Sequence, residues 1–349
     1  MREDRLNRLR RSMGKADAML VTSPPNIFYL SGFTGTSANL FLTQSQAFLL
    51  TDSRYYIQAR SQCPLFQVVE ISGAVAKLVK EQGVKTLGYE STMSVSAFQR
   101  LKNSAPEAEL VDFTQELTQL RAVKSAEEIA CSRKAAEICD AAFEDILNIV
   151  KPGITERELA LELEFNVRRR GASGMSFNTI IASGPRSAMP HAEPSDVQVK
   201  EREFLLFDFG AVYEGYCSDM TRTVIVGEPN ERQLFIYDTV LRAQEAAVSA
   251  LRAGRVCSDV DRVARDIIAE AGYGETFGHG LGHSVGIQIH EDPRLSPSCH
   301  TILKENMLIT VEPGIYVEGF GGVRIEDLAV VGAEGAEILT KTGKKLIKL

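Results

Sequence analysis

The chain of 349 residues sets 39 lysines and arginines against 46 aspartates and glutamates, a net charge of −7, and is 44% hydrophobic and 24% charged. Those fractions exclude a disordered or collagen-like chain, and an acidic balance without long basic blocks argues against nucleic acid as a partner. No stretch approaches the ~18 consecutive apolar residues of a membrane span, and the length favours one large domain plus a smaller one.

Leu6, Leu9 and Met13 recur at helical spacing among arginines, which predicts an amphipathic helix packing one stripe on a core rather than lying on a membrane. Met1-Arg2-Glu3-Asp4-Arg5 runs into further charge with no apolar stretch, so no signal peptide is expected. β-rich runs follow at 18–21, 39–42, 47–50, 67–70, 86–89 and 110–113, with helical patterns at 74–83 and 94–103. Together they predict a mixed α/β domain over residues 1–122. The six cysteines are scattered, with no Cys-x-x-Cys spacing, and read as reduced thiols of a cytoplasmic protein.

The texture changes at 123. Ser125 followed by Glu128 has capping-box spacing and opens a long helix carrying Ile129, Ala136, Ile138, Ala142, Phe143 and Ile146. Lys151-Pro152-Gly153 stops it, and Thr155 with Glu158 starts the next, with Ile154 and Leu159 placed as a hydrophobic staple. A weak internal repeat then emerges over 123–349. Lys151-Pro152-Gly153 and Arg252-Ala253-Gly254 each open a helix, which ends near Gly171 and near Gly272 respectively. Each unit continues with an apolar strand ending in a carboxylate: Phe204–Asp208 in one, Leu308–Glu312 in the other. A Gly/Tyr-rich turn follows, then a second strand with a carboxylate inside it, Asp219 in 218–224 and Glu326 in 323–328. Two such halves face to face would bring four carboxylates to one seam.

A carboxylate ending a buried strand is costly unless a cation or hydrogen-bond donors neutralise it. For any one of these acids a capped turn is the simpler reading; two matched pairs shift the balance toward a site. Three of the five histidines, His279, His283 and His290, fall in the glycine-studded stretch 278–291. Glycines keep side chains out and let backbone approach a ligand. His-Glu-x-x-His is absent, which argues against a zincin helix. One imidazole among several carboxylates suits a hard or borderline ion such as manganese, cobalt or zinc.

The segments Leu206–Gly210, Ser218–Thr223, Gly282–Gly286, Val311–Tyr316 and Arg324–Asp327 together resemble the pita-bread metallopeptidases, the superfamily of methionine aminopeptidase, aminopeptidase P and prolidase. Phe28–Phe33 and Thr51–Tyr55 resemble the accessory domain of its proline-specific branch. The resemblance implies an α+β chain: a creatinase-like α/β domain over 1–122 and, over 123–349, a pita-bread catalytic domain of two pseudo-twofold α/β halves. It implies metal ligands at Asp208, Asp219, His283, Glu312 and Glu326, holding two divalent ions, with Mn2+ first and Co2+, Zn2+ or Fe2+ as alternatives. Asp219 and Glu326 would bridge the ions.

By the same resemblance His191 binds substrate or shuttles a proton, His290 contacts the tetrahedral intermediate, His279 helps line the substrate site, and Glu312 is the general acid/base. Arg294 would grip a substrate carboxylate. Arg324, two residues before Glu326, would share its strand face and orient a carboxylate, and Thr221 and Thr223 would hydrogen-bond the bridging acids. The implied activity is hydrolysis of the Xaa-Pro bond at the N-terminus of dipeptides or short peptides. That bond leaves a ring nitrogen without an N–H, so the site must read ring shape and supply a proton. The expected partner is a proline-containing peptide, with no nucleic acid or membrane, and a homodimer by analogy. The alternatives are a metal-independent creatinase-type hydrolase and a non-catalytic pita-bread binding protein, both of which typically lose ligands that are all present here.

Overall fold

The computed structural model describes residues 2–349 and divides the chain into two compact units, one ending at Arg121 and the other running Ala122–Leu349. In the first, β1 (Ala18–Val21), β2 (Asn39–Thr43), β3 (Ala47–Thr51), β4 (Gln67–Glu70), β5 (Thr86–Tyr89) and β6 (Glu109–Asp112) form one sheet in the order β4-β3-β2-β1-β5-β6. The β1–β2 and β2–β3 pairs are antiparallel, and the flanking pairs are parallel. Its helices are α1 (Arg2–Ser12), α2 (Pro24–Ser31), α3 (Tyr56–Gln62), α4 (Ala74–Glu81), α5 (Val95–Ser104) and α6 (Thr114–Ala122). The expected amphipathic helix is α1, with Leu6 and Leu9 buried and Met13 buried just beyond it. Helices α2, α3 and α6 have no counterpart among the expected elements. α2 starts at a Pro-Pro pair, stops at the left-handed Gly32 and buries residues of every phase, so it shows no polar stripe to read.

In the second unit α7 (Ala126–Leu147) and α8 (Glu156–Arg169) begin at complete capping boxes, Ser125 with Glu128 and Thr155 with Glu158. A third box, Asn230 with Gln233, opens α9 (Glu231–Ala250), a helix the sequence reading passes over because its cap pairs two amides rather than a hydroxyl and an acid. α10 (Cys257–Glu270) completes two helix pairs. The strands are β7 (Gly174–Met175), β8 (Ile180–Ser183), β9 (Phe204–Phe209), β10 (Ala211–Tyr213), β11 (Tyr216–Cys217), β12 (Met220–Ile225), β13 (Gly282–Ser284), β14 (Glu291–Leu295), β15 (Leu308–Val311), β16 (Gly314–Val317), β17 (Gly321–Arg324), β18 (Asp327–Val331) and β19 (Ala336–Ile338).

Two halves repeat one plan, which is the pita-bread fold. The sheet β8-β9-β12 packs against α7 and α8 in one half, and β13-β15-β18, flanked by β14 and β19, packs against α9 and α10 in the other. The hairpins β10–β11 and β16–β17 sit at matching points. The second helices are tied down alike: Glu156 N–H donates to Val197 O and Arg157 N–H to Ser195 O, while Cys257 N–H donates to Thr301 O and Ser258 N–H to Cys299 O. Along β9 the pleat sends Leu205, Phe207 and Phe209 into the helical core and leaves Asp208 on the opposite face. Along β15 it sends Ile309 and Val311 into the core and leaves Thr310 on the other side.

One expectation is corrected. The run 323–328 is not a single strand, and Asp219 precedes β12 rather than lying inside it. β17 ends at Arg324 and β18 begins at Asp327, and between them Ile325 N–H turns to Pro313 O (3.5 Å) while Glu326 N–H turns to Thr221 O (3.1 Å). The backbone changes hydrogen-bonding partners at the carboxylate itself, so Asp219 and Glu326 both stand at strand entrances.

Candidate active site

The face left by β9, β12 and β15 opens on a cleft of about 1230 Å³ lined by Asp208, Asp219, His283, Glu312 and Glu326. One ligand atom each from Asp219, His283 and Glu326 lies within 4.8 Å of the others. His283 Nε2 is 3.3 Å from Glu312 Oε1 and 3.6 Å from Asp219 Oδ2. Its Nδ1 is 3.1 Å from Ser284 O, and a carbonyl only accepts, so Nδ1 carries the proton and Nε2 presents its lone pair to the acids. Burial, reinforced by the neighbouring His290, lowers the His283 pKa to about 3, so the ring is neutral.

Two close approaches make the cluster. A Cβ on Gly210 would fall 2.0 Å from Ser218 O, so only glycine lets the chain cross there and bring Asp208 beside Asp219. A Cβ on Gly282 would fall 2.0 Å from Thr310 O, where β13 approaches β15 and sets His283 beside Glu312. The Thr310 hydroxyl accepts from His283 N–H (3.0 Å) and donates to Glu312 (3.3 Å).

The electrostatics are those of a cation site. Burial first, then repulsion from Glu326, Asp208 and Glu312, raises the Asp219 pKa well above the carboxylate range, and burial with repulsion from Glu312 and Asp208 does the same to Glu326. Glu312 is pushed up to about 8, chiefly by burial, with the Arg324 charge opposing the rise. Oδ1 of Asp208 and Oε1 of Glu326 are buried with no hydrogen-bond partner among the described residues. Buried carboxylate oxygens without donors are rare and costly. Two of them around a neutral imidazole and two more acids fit divalent cations: hard oxygen donors with one borderline nitrogen.

Arg324 does meet a carboxylate, and it is that of Asp208. Its guanidinium meets Asp208 in an ion pair, donates to Tyr316 Oη (2.8 Å) and to Thr221 Oγ1 (3.2 Å), and does not reach Glu326. Thr221 donates to Glu326 Oε2 (2.7 Å) as expected, but the Thr223 hydroxyl donates to Arg324 O (3.0 Å), so it braces backbone rather than a carboxylate. Tyr316 is the residue sequence reading missed. Its hydroxyl accepts from Arg324 and lies 2.9 Å from His279 Nε2; since His279 Nδ1 faces Gly280 O (2.8 Å), Tyr316 is the donor to Nε2. Both ring nitrogens of His279 are thereby engaged inside the protein, and burial lowers its pKa to about 4. The signal was a tyrosine two residues past Pro313-Gly314, in the hairpin between two candidate ligands, where a half-buried hydroxyl needs a partner. His191, His290 and Arg294 are exposed and line the cleft; the His290 ring stands edge-on to His283 at 4.5 Å, and Arg294 lies opposite His283 in the β13–β14 register.

This chain belongs to metallopeptidase family M24, whose description matches residues 130–333, and residues 5–123 match the creatinase/prolidase N-terminal domain. It is similar to the Xaa-Pro dipeptidase of Pyrococcus horikoshii, 40% identical over 95% of this chain and 94% of the relative. Among solved structures it resembles an Xaa-Pro dipeptidase from Bacillus anthracis, 42% identical over the whole of both chains at a TM-score of 0.97. An X-Pro aminopeptidase from Thermotoga maritima is 38% identical over 99% of both chains at a TM-score of 0.94.

Proposed function

We propose that this metallopeptidase hydrolyses the Xaa-Pro bond at the N-terminus of dipeptides and short peptides, with Asp208, Asp219, His283, Glu312 and Glu326 holding two divalent cations. The observation that carries the reading is the pair of donorless carboxylate oxygens, on Asp208 and Glu326, beside the lone pair of His283. All five candidate ligands are present, so neither the metal-independent hydrolase nor the non-catalytic binding protein is favoured. The oxygen-rich donor set suits manganese, which is the ion to test first. Buried, reduced Cys63, Cys139, Cys217 and Cys257 suit a reducing, cytoplasmic compartment, and a homodimer is the working form drawn from family resemblance.

When bound, such cations supply Lewis acidity toward the scissile carbonyl and toward water. The side chains do the rest. Glu312, one of the five proposed ligands, is by family resemblance also the carboxylate that would carry a proton to the prolyl nitrogen. His290 and His191 offer donors on the open side of the cleft, for charge developing on the carbonyl oxygen and for substrate backbone. Arg324, fixed by Tyr316, holds Asp208 by one oxygen and leaves the other directed to the cluster. Arg294 meets the free carboxylate of a dipeptide.

The test is hydrolysis in Mn2+ of an Xaa-Pro dipeptide, an Xaa-Pro-Yaa tripeptide and the matching Xaa-Ala dipeptide. Cleavage of the proline substrates with little turnover of Xaa-Ala is expected. Equal turnover of Xaa-Ala would overturn the proline reading, and the ratio of dipeptide to tripeptide rates assigns the chain to the dipeptidases or the aminopeptidases.

A further inference from the structure

Glu156, the first residue of α8, is a fully buried carboxylate outside the metal cluster. A buried carboxylate persists only where donors surround it, and among the described residues every donor to this side chain, backbone or side-chain, comes from the two stems of one loop. From the leading stem Ser183 gives its N–H (2.8 Å) and hydroxyl (3.1 Å) to Oε1, and Arg186 Nε bridges both oxygens (3.2 and 3.0 Å). From the returning stem Ser195 gives its N–H (3.0 Å) and hydroxyl (2.7 Å) to Oε2. Arg186 also donates to Glu193 O (2.7 Å), closing the loop on itself.

The tip of that loop carries His191. Just before it, Pro190 O accepts from Arg324 (3.3 Å), and Ser187 Oγ accepts from Gly322 N–H (2.8 Å), so the loop is docked on the strand that bears the Asp208-binding arginine. His191 itself is exposed in the cleft, and among the described residues its ring makes no hydrogen bond or ring contact. Its place therefore depends on the stems. The other half uses the same device: buried Asp261 of α10 accepts from Leu281 N–H (3.0 Å) and from Arg265 (2.8 Å), and Arg265 donates to Phe277 O (3.0 Å) and His279 O (2.8 Å). In each half one acid on the second helix and one arginine hold the loop that carries a cleft histidine.

We propose that Glu156 is a positioning residue for substrate binding: it clamps both stems of the 183–195 loop and thereby holds His191 over the cleft. This rests on the reading of His191 as a substrate-binding group. Without the clamp the stems part and His191 samples many positions, while the metal ligands, carried on β9, β13 and the strand entrances, stay where they are.

The experiment compares Glu156→Gln, His191→Ala and the double variant, with Asp196→Asn as a control that breaks only the exposed Arg157–Asp196 pair (2.8 Å) beside the same stem. Hydrogen–deuterium exchange is read on the metal-free proteins, and steady-state kinetics on an Xaa-Pro dipeptide with Mn2+. In Glu156→Gln the amides of 187–195 are expected to exchange roughly tenfold faster or more, with β9 and β13 unchanged. Its kcat/KM is expected to fall mainly through KM, by about the factor seen in His191→Ala, and the double variant to be no worse than His191→Ala. Mn2+ affinity by equilibrium dialysis stays within about twofold of the parent in both single variants, and Asp196→Asn behaves as the parent. Unchanged loop exchange, or losses that multiply in the double variant, would overturn the proposal. Should Glu156→Gln fail to fold, Ser195→Ala, which removes one donor, is read in the same way. If His191→Ala alone turns over at the parental rate, the role of His191 fails instead, and loop exchange still decides whether Glu156 holds the loop.

Discussion

The hydrogen bond from His283 Nδ1 to Ser284 O turns a lone pair toward Asp219 and Glu312, and the Thr310 hydroxyl beneath them fixes both the backbone of one candidate ligand and an oxygen of another. Thr310→Val keeps the shape and removes that hydroxyl, and groups of this kind are worth about 10–100-fold in metal affinity. A loss of that size in Mn2+ affinity by equilibrium dialysis, with an unchanged melting curve, is the expected outcome; unaltered affinity would remove Thr310 from the site. Arg294→Ala should raise KM for an Xaa-Pro dipeptide far more than for an Xaa-Pro-Yaa tripeptide, whose free carboxylate lies further along. Equal effects on the two would take Arg294 off the carboxylate. At this scale the sequence was readable where chemistry is dense. The acids ending apolar runs and the glycine-studded histidines announced themselves; Tyr316 did not, because its role is set by where the hairpin folds back onto His279 and Arg324.

Strand edges decide what the side chains meet. β13 reaches β15 only because Gly282 has no Cβ; one placed there would fall 2.0 Å from Thr310 O. Gly282→Ala must push the strands apart, at a cost of about 1–3 kcal/mol for a tolerated overpacking and more where backbone is the obstacle. Lowered thermal stability together with weakened Mn2+ binding is expected, and a fully stable, metal-tight variant would contradict the close approach. Behind the seam, fully buried Arg222 donates to Glu326 O and pairs with Asp327 at 2.8 Å, while Gln244 (2.9 Å), Lys344 (2.8 Å) and Thr340 (2.9 Å) donate to the same acid. Arg222→Leu leaves that acid short of its principal cation and should destabilise by about 3–5 kcal/mol in chemical denaturation. The run 323–328 looks like one alternating strand, yet it breaks at the carboxylate because its backbone exchanges one partner for another there. Pairing of that kind is set by the other half of the fold, where Thr221 O takes the Glu326 N–H, and leaves no local trace. Both hydroxyl–acid capping boxes, by contrast, were visible because a cap is a purely local device.

Two halves that each contribute a pair of acids make a seam whose charge the protein cannot neutralise alone, and that links metal, pH and stability. The direction follows from the shifts: Glu312 titrates near 8 in the folded chain against 4.5 ordinarily, and Asp219 and Glu326 are raised as well. The buried histidines, lowered to about 3 and 4, oppose this only by the half proton or less that each binds in the unfolded chain from about pH 6.5 upward, a smaller contribution than that of the three raised carboxylates. Between about 6.5 and about 8 the folded metal-free protein therefore binds more protons than the unfolded chain, so its stability falls as pH rises. Chelator-treated protein should melt at a lower temperature at pH 8 than at pH 6.5, and binding of Mn2+ at pH 7 should release protons into weak buffer. Metal-free protein that is equally stable at both pH values would contradict the raised carboxylates. The weak repeat in the sequence anticipated this seam, while the matching backbone ties of α8 and α10 needed the folded molecule to be seen.

Stepwise return of Mn2+ to chelator-treated protein, with hydrolysis of an Xaa-Pro dipeptide followed at each addition, is the most direct measurement. Turnover should be absent at the start and climb to a plateau as the second equivalent per chain binds. Hydrolysis at full rate before any ion is added, or a plateau that ignores the metal altogether, would contradict a cation pair held by Asp208, Asp219, His283, Glu312 and Glu326.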